Sequence, residues 1–145
     1  MNHLVYLDTC GGELEKILSG VKTMLVKEFD PAGTAMPLVN PGDSLYFLRN
    51  KDDCALRVKA TVVRVLFFTN NSEEDLSHTL KEMQLRLQLT EDQYNYWSAK
   101  QQVLLVEFFD AHKIDVMHVA SEKITDRSDW IAFEQFYEII SQSIS

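Results

Sequence analysis

The residues best equipped for chemistry in this chain are cationic. Lys22 and Lys27 lie close together after an apparent helix end, and Arg57, Lys59 and Arg64 recur along one apolar-rich stretch. Such groups can hold a phosphate or polarise a carbonyl, lysine as a point charge and arginine as a planar fork. A solvated surface is the plainer reading of each, unless they converge on one cleft. Glu107 interrupts the apolar run from Val103 to Phe109. A barrel-lining carboxylate is one reading of it; an outward-facing position is simpler. His3, His78, His112 and His118 are scattered and read as surface or structural groups. Cys10 and Cys54 are too few for a disulfide framework, lie in no metal-ligand spacing and read as free thiols. Neither a zinc pattern, a Walker loop nor a GxSxG elbow is present. No cofactor or metal is expected.

The elements that must position these groups follow from periodicity. Leu4 to Leu7 reads as a strand, and Leu14, Ile17 and Leu18 recur at helical spacing until Gly20, which suits the left-handed position after a helix end. Lys22 to Glu28 reads as a strand, then a loop over 30–37. Gly42 supplies a tight turn in which the Asp43 carboxylate can accept from backbone N–H groups. Leu45 to Leu48 follows as a buried strand. From Leu56 to Val62 apolar residues alternate with Arg57, Lys59 and Thr61, after which the phase flips to Val63, Val65 and Phe67. A bulge at Val62-Val63 would restore one apolar face and keep Arg64 on the side of Arg57 and Lys59.

A helical insert is expected over about 72–100. Ser72 to Asp75 opens a first helix with the stripe Leu76, Leu80, Met83 and Leu87, and Thr90 with Gln93 matches a capping box for a second. Val103 to Phe109 and Val116 to Ala120 read as two strands. A C-terminal helix over about 129–141 would align Trp130, Phe133, Tyr137 and Ile140. Trp97, Trp130, Tyr94, Tyr96 and Tyr137 could stack a base, although helical spacing favours core packing. The order implies an α+β domain on a mostly antiparallel sheet, most simply a partly closed barrel that hides short strand edges.

The length of 145 residues and a hydrophobic fraction of 46% suit one globular domain over 1–145. Nothing resembles a signal peptide or a membrane span, so a cytoplasmic protein is expected. The net charge of −8 is uneven: residues 1–68 carry eight basic and eight acidic residues, and 69–145 carry six against fourteen. An acidic chain is repelled by a phosphate backbone at long range, which disfavours tight binding to duplex DNA. A small basic cleft on the neutral part remains compatible with that charge.

Gly20, Lys22, Leu25 and Lys27, followed by Gly42-Asp43 and then Ser44 to Phe47, resemble the G-x-K-x-x-E-x-R signature and Gly-Asp turn of the ASCH domain family, a branch of the PUA-like barrels. Val103 to Phe108 is similar to a late strand of that barrel. The resemblance implies a ligand edge at Gly20–Lys27, with Lys22, Thr23, Lys27 and Arg64 as binding residues and Gly20, Gly42 and Asp43 as structural ones. It implies RNA or a nucleoside- or nucleotide-like ligand. Two positions depart: Leu25 stands where the family has an acid or, in its N4-acetylcytidine-hydrolysing branch, a nucleophilic threonine, and Lys27 replaces arginine. Leucine can supply neither group, so the expectation leans away from an enzyme. A small amidohydrolase using Lys22 with Thr23 or Glu107 is the alternative. A protein-interaction domain using the acidic helical part, around Trp97 or Trp130, is another.

Overall fold

A computed structural model describes residues 1–7, 12–28, 39–48, 55–69, 73–120 and 130–135. Cys10, Arg49, Lys51, Cys54, Ser72 and Tyr137 lie outside the described residues. In chain order the elements are β1 (Asn2–Tyr6), α1 (Glu13–Leu18), β2 (Met24–Glu28), β3 (Ser44–Leu48), β4 (Ala55–Thr69), α2 (Glu73–Glu82), α3 (Gln84–Leu87), α4 (Glu91–Ser98), β5 (Gln102–His118) and β6 (Trp130–Phe133). The six strands form one mixed sheet in the order β2-β5-β4-β3-β1-β6. β1 and β3 are parallel, and the other pairs are antiparallel.

The sheet curls into a half-barrel. Lys27 on β2 donates from Nζ to the Tyr6 carbonyl of β1 at 2.9 Å. β1 lies four places away in the strand order, which in a flat sheet would be about 19 Å, beyond a lysine's reach. One core fills the concave side, with Val5, Leu25, Phe47, Val58, Val106, Phe108 and Trp130 packed around Leu14 and Ile17 of α1. A second lies under the helical insert, where Leu76, Leu80 and Leu87 meet Met24, Val26, Val103 and Leu105. The third joins Leu4, Tyr6, Tyr46, Leu48, Leu56, Val119 and Phe133.

The bulge expected in β4 is present. Pairing steps from Val62↔Phe108 to Arg64↔Glu107, so Val63 is the extra residue. Val58, Ala60 and Val62, and then Val65, all meet the concave core, as a phase correction requires. Arg64 and Lys59 consequently share the opposite face.

Two expectations change. Val103 to Phe109 and Val116 to Ala120 are not separate strands, because β5 runs unbroken through Asp110 to Asp115. That stretch lacks apolar alternation, but backbone pairing with β4 does not require it. Asp110 takes the strain with φ 58, a conformation aspartate tolerates better than most residues. The helix expected over 129–141 also does not begin at Trp130, since Trp130–Phe133 is a strand antiparallel to β1; residues from 136 onward lie outside the described residues. Trp130 and Phe133 are both buried, but in different cores. Residues three apart on a strand face opposite sides, so a strand covered on both sides mimics a helical stripe.

Candidate functional site

The Gly20–Lys27 edge is built on a helix end. Gly20 has φ 83, its N–H donates to the Ile17 carbonyl at 3.1 Å, and the Val21 N–H donates to the Lys16 carbonyl at 3.1 Å. These two bonds form a Schellman cap, closed by the residue type best suited to a left-handed turn. The cap turns the chain so that Lys22 enters the gap between α1 and α3.

Lys22 is almost fully buried at 1% exposure. Its Nζ donates to the Leu87 carbonyl and lies 3.3 Å from Glu13 Oε1. Lys16 Nζ donates to the adjacent Gln88 carbonyl at 3.2 Å. Two lysines thus satisfy carbonyls at the end of α3, where a positive charge is also favoured by the peptide dipoles. Burial pushes the Lys22 ammonium below its ordinary value; Glu13 opposes this, and the nearby charges of Lys16 and Lys27 reinforce it. Glu13, Lys16, Lys22 and Lys27 therefore form one electrostatic cluster.

Thr23 is held by its backbone. Its N–H donates to the Arg86 carbonyl and its carbonyl accepts from the Phe108 N–H, both at 2.9 Å. Leu25 is buried in the concave core, so the position that the sequence resemblance matches to an acid or threonine carries no polar group and no access. Arg64 is not part of this cluster. It points to the opposite face, where its Nε lies 2.8 Å from Glu107 Oε1. Arg86 of α3 holds the other oxygen, with Nε 3.0 Å from Oε2. Glu107 thus faces outward, and the expected convergence of Lys22, Lys27 and Arg64 on one pocket is replaced by two separate groupings.

Gly42 and Asp43 act as expected of a turn, and Asp43 does more. Gly42 has φ 91, and Asp43 Oδ2 accepts from the Asn40 N–H at 2.9 Å. The same oxygen lies 2.8 Å from His3 Nε2. The other ring nitrogen, His3 Nδ1, accepts from the Trp130 indole N–H at 2.9 Å. Indole nitrogen can only donate, so Nδ1 must be the acceptor and Nε2 must carry the proton given to Asp43. Burial pushes the fully enclosed His3 imidazole below its ordinary value, against the pull of Asp43. Burial works to raise the Asp43 carboxyl, but its bonds from His3 and Asn40 outweigh that and hold it low. An Asp–His pair can orient a general base, yet both ring nitrogens here are occupied. The trio is a structural lock. No local signal announces it, since His3 and Trp130 are 127 positions apart.

The aromatics divide similarly. Trp130 is buried, which removes it as a contact surface, whereas Trp97 packs in part against the helical core. Tyr94 hydroxyl is bonded to the Ser77 hydroxyl and donates to its carbonyl at 3.1 Å. Tyr96 remains 56% exposed, with Lys100 Nζ 4.6 Å from its ring centroid.

No protein-family model matches the chain, and no curated protein matches it. Solved structures do match in fold. An ASCH protein from Zymomonas mobilis shares 12% identity over 97% of this chain and 96% of its own, with a TM-score of 0.66. Its tyrosine-to-phenylalanine variant matches at 13% identity and TM-score 0.68, over 92% of this chain and 91% of that one. The serine-to-alanine variant matches at 12% and 0.67, over 92% and 89%. The half-barrel with its capped first helix and helical insert is therefore an ASCH-like fold.

Proposed function

We propose that this ASCH-fold chain is a binding module that accepts RNA or a nucleotide-like ligand at the edge from Gly20 to Lys27. The observation that carries this reading is the cluster of Lys16, Lys22 and Lys27 beside Glu13. Lysine charges drawn this close repel one another, a cost that an anionic partner would offset. Within the cluster, Lys22 is buried and bonded to Leu87 and Glu13, whereas Lys27 is half-buried and donates to the Tyr6 carbonyl from a partly accessible position. Lys27 is the group that would meet the ligand, and Lys22 and Thr23 would shape the edge behind it. The amidohydrolase alternative has less support, because Leu25 is buried and apolar and Glu107 is engaged by two arginines on the other face.

Isothermal titration with short RNAs and with nucleoside monophosphates tests the reading. Lys27→Ala should weaken binding about tenfold, as expected for one lost phosphate contact, and lower stability by about 1 kcal/mol through loss of the bond to the Tyr6 carbonyl. If wild-type protein binds none of these ligands, or binds them equally well without Lys27, the reading fails. Incubation with N4-acetylcytidine should give no deacetylated product above a heat-killed control.

A further inference from the structure

We propose that Arg64 and Arg86, held apart by Glu107, form a phosphate-binding clamp on the helix-bearing face of the sheet, with Phe109 beside it as a base-stacking surface. The inference rests on the reading above for its ligand class only; the residues are different and lie on the other side of the strand.

The two arginines engage Glu107 through Nε, at 2.8 and 3.0 Å, one on each carboxylate oxygen. A guanidinium has five N–H donors, and this contact uses one from each. Among the described residues the Nη groups of Arg64 have no partner, and Arg86 has only a 4.0 Å contact from Nη1 to the Met83 sulfur. The side chains are 44% and 47% exposed, and Glu107 between them is 18% exposed. One shielded carboxylate therefore holds two half-exposed forks in place, and the trio keeps a net charge of +1. This is the arrangement suited to planar, bidentate recognition of a phosphate. Rigid placement also lowers the entropic cost of ordering arginine on binding.

Phe109 supplies the second half of the site. It lies two residues from Glu107 on β5, with regular alternation between them, and so shares its face. The ring is 55% exposed and packs into none of the three cores. Val63, pushed out by the bulge beside Arg64, is also exposed. An accessible aromatic next to arginines is the pairing that single-stranded nucleic acids and nucleotides use, base on ring and phosphate on guanidinium. The Arg86 carbonyl accepts from the Thr23 N–H, which places the clamp against the back of the Gly20–Lys27 edge.

The test titrates the full chain with a short oligouridine, with UMP and with inorganic phosphate, at several salt concentrations. The Arg64→Gln/Arg86→Gln pair should weaken oligouridine and UMP binding about tenfold and lower the salt slope by about 1. Phe109→Ala should weaken both roughly fivefold without changing that slope, and leave phosphate binding intact. A larger loss for oligouridine than for UMP identifies a polynucleotide partner, and the reverse a mononucleotide; either supports the clamp. Unchanged affinities in a double variant that melts cooperatively overturn it and leave a plain ion-pair network. Should the double variant fail to fold, Arg64→Gln alone is read by the same criteria. If binding depends on Lys27 and not on the arginines, this inference falls and the proposed function stands. If wild-type protein binds no probe, both fall.

Discussion

Two buried polar groupings in this fold solve the same problem differently. His3, Asp43 and Trp130 form a chain in which each donor meets one acceptor, and the charged member, Asp43, also pairs with the Met1 ammonium at 3.4 Å. Lys22 instead places an amine inside the protein beside the Glu13 carboxylate, with the charges of Lys16 and Lys27 close enough to act on it. The first grouping is closed by matched donors and acceptors. The second gathers the charges of three lysines about one buried point, and for that reason it reads as a site where the first reads as a brace.

Variants can break this contrast, beginning with the brace. His3→Ala should cost about 4 kcal/mol, because it leaves a cavity and strands a buried indole N–H; urea unfolding followed by tryptophan fluorescence measures it. Acid titration sharpens the result. The folded-state pKa of His3 is lowered, so below 6.5 the unfolded chain takes up a proton that the native state refuses. Stability from this group is fully present above 6.5 and is lost as the pH falls towards the folded value. Asp43, lowered from 3.8, acts in the same direction further down the scale. His3→Ala should flatten the dependence just below 6.5; an unchanged slope would mean that His3 titrates normally.

The lysine cluster should respond asymmetrically. Glu13→Gln leaves a buried ammonium without its counter-charge and should cost about 3 kcal/mol, whereas Lys22→Met should change stability by less than about 1 kcal/mol in either direction. Equal losses in chemical denaturation would show that the pair is a net stabiliser. The lowered pKa of Lys22 adds an alkaline signature. Between its folded value and 10.5 the unfolded state binds the extra proton, so stability rises with pH there, and Lys22→Met should abolish that rise.

The smallest expected effect lies away from both groupings. Thr90 accepts from the Gln93 N–H at 3.2 Å, and Gln93 Oε1 accepts from the Thr90 N–H at 2.9 Å. Thr90→Ala should lower the melting free energy by about 1 kcal/mol. It should leave the ligand titrations unaltered, since α4 belongs to neither grouping.

The sequence by itself determined whatever depends on neighbours along the chain. The Gly20 cap, the Thr90–Gln93 capping box, the Gly42-Asp43 turn and the bulge at Val62-Val63 were legible because a few adjacent residues carry their whole physical cause. Burial of Leu25 follows similarly from its place in an apolar run. Only the tertiary structure decided which distant groups meet. It separated Arg64 from Lys22 and Lys27, because a bulge fixes the face of Arg64 while a helix cap redirects Lys22. It paired His3 with Trp130, and it joined Glu107 to Arg86 through a helix laid over the sheet. It also made Trp130 to Phe133 a strand, since only packing on both sides distinguishes such a strand from a helical stripe. Local order is set by short-range sterics and hydrogen bonds; these contacts depend on how the sheet curls, which no short window of sequence contains.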